Sequence, residues 1–211
     1  MASGACRASE LALLALLSLV GVVATVFPGL ATADELRGKG PWRAQIVDAE
    51  TKRPLQGVVV LAIWNERFGS VGGLAGGGYF DSEEVVTGAD GKFTIRRRKT
   101  SFNPFSVIVG PEFYIFKPGY GQWLFQGAQA WPEPGEERTR CVDEAWAKLN
   151  GDGAVLEMPP LKTKEERRRS LDRFALPSGD VPASRFPSLF DAVNDERLHF
   201  RLQPLGKEGW R

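Results

Sequence analysis

Seven consecutive apolar residues, Val58-Val-Val-Leu-Ala-Ile-Trp64, limit the folds open to this chain. The run is short, rich in β-branched residues and bounded by Gly57 and Asn65, so it reads as a strand. Successive side chains of a strand point to opposite faces. A run that is apolar at every position therefore needs cover on both faces, as a central strand has. Other short runs of the same kind surround it. Trp42-Arg-Ala-Gln-Ile-Val-Asp48 precedes it across the polar turn Ala49 to Gly57, where Pro54 fixes its own φ and Gly57 supplies a positive one. Val85-Val-Thr87 and Phe93-Thr-Ile95 flank Asp90-Gly91, which predicts a hairpin with Gly91 at positive φ. Gly69 to Gly78 predicts a surface loop. Ser106 to Val109 and Phe113 to Phe116 predict two strands, or one bent at Gly110-Pro111. Ala154 to Met158 predicts a last strand, stopped by Pro159-Pro160. Together these runs predict a mainly β, antiparallel sandwich beginning at Trp42.

Residues 1–33 predict a targeting segment. Arg7 gives a weakly positive start, blunted by Glu10; Leu11 to Phe27 is uninterruptedly apolar; Pro28-Gly29 breaks the run, and Ala31-Thr32-Ala33 offers a cleavage site before Asp34. The alternative is an uncleaved inner-membrane anchor, since the run is at the short end of the ~17–25 residues that a span needs. Cys6 precedes the apolar run, so it is no lipid-attachment site. A chain cleaved there exceeds the about 150 residues at which roughly 68–70% of unfolded surface is buried. It would keep Cys141 alone of the two cysteines, and its sandwich would hold by packing without an internal disulfide. A net charge of +1 gives no argument for nucleic acid.

The turn and strand residues resemble the carboxypeptidase regulatory-like domain. The pattern is carried by Val47, Asp48, Thr51, Pro54, Leu55, Gly57 and Val58 to Val60, then by Thr87, Asp90-Gly91-Lys92-Phe93 and Lys117-Pro118-Gly119-Tyr120. The resemblance runs from Trp42 to Tyr120, with a final strand near Val155. It implies a transthyretin-like (prealbumin-like) Greek-key sandwich, and it implies no peptidase activity. Transthyretin-like hydrolases that open a purine-derived ring rely on several histidines and a Tyr-Arg-Gly-Ser ending. This chain has one histidine and ends Lys207-Glu-Gly-Trp-Arg211.

Around the sandwich (42–160) the chain divides further. Residues 34–41 read as a flexible leader and 121–152 as an insertion. Val142, Ala145, Trp146 and Leu149 at helical spacing predict a helix from Glu136 to Leu149. Residues 161–211 predict a helical tail. Thr163 caps one helix through Phe174, with Glu165 and Glu166 at its positive end. Pro187 begins a second, with Phe186, Leu189, Phe190, Val193 and Leu198 on one face. This tail resembles those of exported bacterial members of the same family.

Candidate sites are few. One histidine, His199, and one mature cysteine cannot build a zinc site of three or four N or S ligands, so no metal and no cofactor is expected. Cys141 beside Val142 on a helix reads as a structural thiol. Glu83-Glu84 point to opposite faces of a strand and do not form an acid–base pair. Arg96-Arg-Arg-Lys99 reads as solvated strand-end charge. The aromatics between Phe113 and Trp131 are the strongest binding signal: Tyr120, Trp123 and Trp131 are the ligand-binding candidates, the two indoles because they lie in the Gly- and Pro-bearing insertion. The expectation is a non-catalytic, exported interaction module, periplasmic or secreted, with an envelope protein or glycan as partner. The alternative is a carbohydrate-binding module using the aromatics of 120–131. An enzyme using Cys141 or the carboxylates ranks third.

Overall fold

The structure, a computed structural model, describes residues 40–70, 73–97, 106–125 and 131–206. Strands β1 (Trp42–Asp48), β4 (Lys92–Ile95) and β6 (Ala154–Met158) form one three-stranded sheet, in the order β4-β1-β6. Strands β2 (Val59–Ser70), β3 (Gly73–Val86) and β5 (Ser106–Phe116) form the other, in the order β3-β2-β5. Helices α1 (Glu136–Leu149), α2 (Lys164–Arg173) and α3 (Pro187–His199) complete a mixed α/β architecture, which corrects the expectation of a mainly β chain. Among the described residues, no helix is long and apolar enough to cross a membrane. The predicted targeting segment lies outside the described residues.

The apolar run at Val58 is buried on both faces. Val58, Val60, Ala62 and Trp64 face the other sheet and meet Ile46, Phe93, Ile95 and Leu156 in one core. Val59, Leu61 and Ile63 face away and meet the C-terminal segment in a second core. None of the seven exceeds 3% exposure. Each fully buried Val, Leu or Ile side chain contributes about 1.5–3 kcal/mol, so this central strand stabilises the fold through both of its faces.

Three sequence expectations change. The sheets are not wholly antiparallel: β1 pairs with β6 in parallel, from Ala44↔Ala154 to Asp48↔Met158. A parallel pair needs a crossover connection, and the long chain between β1 and β6 supplies one. The turn at Asp90-Gly91 does not close a hairpin. It carries the chain across the sandwich, because β3 and β4 belong to different sheets. The Gly-rich loop is mostly strand: β2 runs to Ser70 and β3 starts at Gly73, pairing Ser70↔Gly73. Gly77 lies beside an irregularity in register at Glu66/Phe68, at φ 137°, where a Cβ would collide with the Glu66 carbonyl. Phe113 and Ser106 do share one bent strand, β5, whose Pro111 is tolerated because β5 is an edge.

Gly91 keeps the positive φ its turn needs, at 68°, but the space is more demanding than the angle. A Cβ there would lie 2.5 Å from the Ile46 carbonyl oxygen and 3.0 Å from the Leu55 amide nitrogen. Those two backbone groups are hydrogen-bonded to each other at 2.9 Å. Gly153 has nearly the same φ, 70°, with nothing within 4 Å. Gly153→Ala should therefore cost about 1–2 kcal/mol from φ alone, and Gly91→Ala clearly more. Equal shifts of the urea midpoint in the two variants would remove the close approach from the account.

The C-terminal segment covers the outer face of the β3-β2-β5 sheet. Thr163 caps α2 as expected, and Glu166 completes a capping box with it. Phe186, just before α3, and Leu189, Phe190 and Val193 on it are buried against Val59, Leu61, Ile63 and Phe116. Leu198, expected on that face, is 55% exposed instead. Glu84 of β3 caps α3 from outside, accepting from the Ser188 and Leu189 amides at 2.9 and 2.7 Å. Arg167 of α2 ties the two tail helices together through Glu196 of α3.

Candidate functional site

The insertion is docked by aromatic rings. Trp64, Trp42, Phe113, Trp146 and Trp123 form a continuous series, with successive centroids 6.2, 5.7, 5.7 and 5.8 Å apart. Edge and tilted contacts of this kind contribute about 0.5–1.5 kcal/mol each beyond area burial. Trp42 also donates its indole N–H to Asn150, the residue after α1, at 3.3 Å. Trp123 ends this series in a 3-10 turn (Trp123–Phe125) and is 1% exposed. The expected stacking platform therefore loses Trp123, which is a core residue. Tyr120 is committed as well: its hydroxyl donates to Asp48 Oδ2 at 3.1 Å. Burial, then the Asp48 contact, raises its proton affinity. Burial pushes Asp48 the other way from its neighbours, but the amides of Thr51 and Glu50 with the Tyr120 hydroxyl prevail and hold the carboxyl below its usual range. This clasp fixes the first turn to the end of β5.

Trp131 is the sequence candidate that borders a cavity. The cavity, about 160 Å³, lies among residues 121–125, 131–133, 159–161 and α2. Its apolar wall includes Phe125, Pro159 and Leu161; its polar side includes Gln122, Arg169 and Arg173. Trp131 is half-buried, 5.0 Å from Phe125 by centroid. Arg138 and Arg173 lie over its ring, with Cζ 5.7 and 5.6 Å from the centroid. Arg138 is fixed by donating Nε and Nη2 to the Pro132 carbonyl at 3.0 and 2.7 Å. The indole is thus framed by cations rather than left open as a flat platform. Glu166 lines the cavity too, but its Oε2 accepts from the Thr163 and Lys162 amides, which hold its carboxyl below the usual range. Arg169 and Arg173 are not among the sequence candidates. The available signal was their i,i+4 spacing, which puts both on one face.

The remaining candidates take structural places. Glu83 and Glu84 diverge as expected: Glu83 pairs with Arg96 at 3.0 Å, and Glu84 caps α3. His199 is exposed and stands edge-on to Phe200. Cys141 is buried on α1, the place that the structural reading gives it. Cys141 and His199 lie on helices packed against different cores. Among the described residues, no group of three or more His, Cys, Asp or Glu is placed to hold a metal. The export expectation is tested at the N-terminus: protein recovered from the envelope should start at Asp34 by N-terminal sequencing. A chain starting at Met1 would show retention of the segment.

No family model, curated protein or solved structure matches this chain.

Proposed function

We propose that this protein is a non-catalytic, exported interaction module of the cell envelope, with a carboxypeptidase regulatory-like, transthyretin-like sandwich as its scaffold and the Trp131 cleft as its contact site. The paired three-stranded sheets and the turn built on Asp48, Pro54 and Gly57 favour that scaffold. The observation that carries the contact site is the cavity in which the part of the chain outside the sandwich pattern meets the tail, with two guanidinium groups within 5.7 Å of the Trp131 ring centroid. Function is commonly grafted onto a common scaffold at such departures. The lowered carboxyls favour a structural role for the acids. Asp48 organises a turn, Glu166 a capping box and Asp180 the Tyr79 amide.

The contact site is tested by co-sedimentation of the purified chain with isolated envelope material. Trp131→Ala should weaken retention by ~1 kcal/mol or more, about fivefold, as for a contact residue, with the protein still folded by circular dichroism at the assay temperature. Unchanged retention would move the contact site elsewhere.

A further inference from the structure

We infer that the Trp131 cleft takes an acidic sugar, whose carboxylate or phosphate is gripped between Arg169 and Arg173. This rests on the cleft being the contact site, and it adds the chemistry of the occupant. Arg169 and Arg173 are four residues apart on α2, and both line the cavity. Like charges at that spacing disfavour a helix slightly. The same helix shows the alternative solution one position away: Arg168 pairs with Asp172, its Nε 2.9 Å from Oδ2. Arg169 and Arg173 make no ion pair among the described residues. An anion between them relieves their repulsion and satisfies two sets of planar donors, which suit carboxylate and phosphate. Glu166 feels the Arg169 charge, yet it stays bound to the capping amides.

Position and size narrow the class further. Arg173 lies over the indole with its Cζ 5.6 Å from the ring centroid, which brings an exposed guanidinium to the edge of the cleft. Phe125, Pro159 and Leu161 give an apolar wall for the face of a ring, and Gln122 and Glu133 give hydrogen-bonding groups for hydroxyls. A cavity of about 160 Å³ holds one sugar-sized group. Pockets for drug-sized ligands run to about 300–1,000 Å³.

The test titrates the full mature chain with sodium glucuronate, glucose 6-phosphate, glucose and inorganic phosphate, each followed by ligand-observed NMR. Glucuronate, glucose 6-phosphate or both should bind, and these two arms separate carboxylate from phosphate. Glucose and inorganic phosphate should bind at least tenfold more weakly. Binding of the acidic sugar should fall as sodium chloride is raised, because exposed charges are screened. Arg169→Gln with Arg173→Gln should weaken it at least tenfold. Arg53→Gln with Arg201→Gln removes the same charge elsewhere and should not. Glucose bound as tightly as glucuronate, with loss in Trp131→Ala, would overturn the acidic class and keep the cleft. Acidic-sugar binding that survives both the arginine pair and Trp131→Ala would overturn the cleft as well. Inorganic phosphate bound as tightly as glucose 6-phosphate, equal losses in the two arginine pairs, or no binding of any probe would each overturn the proposal.

Discussion

Trp123→Ala should lower the unfolding free energy by about 3–5 kcal/mol, the range for truncating a buried Phe or Trp. The residue is 1% exposed and sits edge-on to Trp146, 5.8 Å between centroids. Removing it leaves a hole between the 3-10 turn and α1 and cuts the aromatic series that fixes the insertion to the sandwich. The neighbouring backbone is held in place, since Gly121 donates its amide to the Pro159 carbonyl at 2.8 Å, so the site cannot simply collapse. The expected result is a large fall in the urea midpoint. Trp123→Phe, which keeps an aromatic in the gap, should recover part of it. Trp131→Ala, by contrast, should cost clearly less, because the indole is only half-buried and its contacts are one tilted ring pair and two cation–π contacts. A Trp123→Ala protein as stable as its parent would mean that the indole does not pack as described.

The contrast between these two tryptophans shows where the sequence was legible. The bounds of β1, β6 and α1 follow from local pattern, because each strand run ends at a turn residue and Val142, Ala145 and Leu149 repeat at helical spacing. The double-sided burial of Val58 to Trp64 was also legible, because no polar residue interrupts the run. Partner choice was not. Asp90-Gly91 announces a turn, but the local sequence is the same whether the chain pairs back or crosses to the opposite sheet. The glycines from Gly73 to Gly78 lower strand propensity, and the ladder with β2 overrides it. Composition suggested that indoles in a Gly- and Pro-bearing segment are exposed; Trp123 is buried because Trp146 reaches it from a helix that follows it in the chain. The cleft was half legible. Trp131 stood out as an aromatic, whereas Arg169 and Arg173 gain meaning only when α2 is seen to border the insertion.

Arg167→Ala should destabilise the protein by about 3 kcal/mol, near the lower end of the 3–5 kcal/mol found when a buried ion pair loses one partner. The pair is bidentate: Arg167 Nε and Nη2 donate to the two oxygens of Glu196 at 2.9 and 2.6 Å. Its two ends are unequal, with the Glu196 side chain 4% exposed and that of Arg167 26%. Truncating the arginine therefore strands a buried carboxylate, while Glu196→Ala strands a cation that can still reach water. Glu196→Ala should cost less than Arg167→Ala for that reason. The hydrogen bonds to Glu196 hold the guanidinium above its ordinary proton affinity, so it stays charged in both states over the usable pH range. The double variant Arg167→Met/Glu196→Leu removes both charges and keeps apolar volume at the junction of α2 and α3. Buried pairs replaced in this way are often neutral or better, so the double variant should be more stable than Arg167→Ala alone. A double variant as unstable as the sum of the two alanine replacements would show that the loss comes from packing at the helix junction rather than from an uncompensated charge.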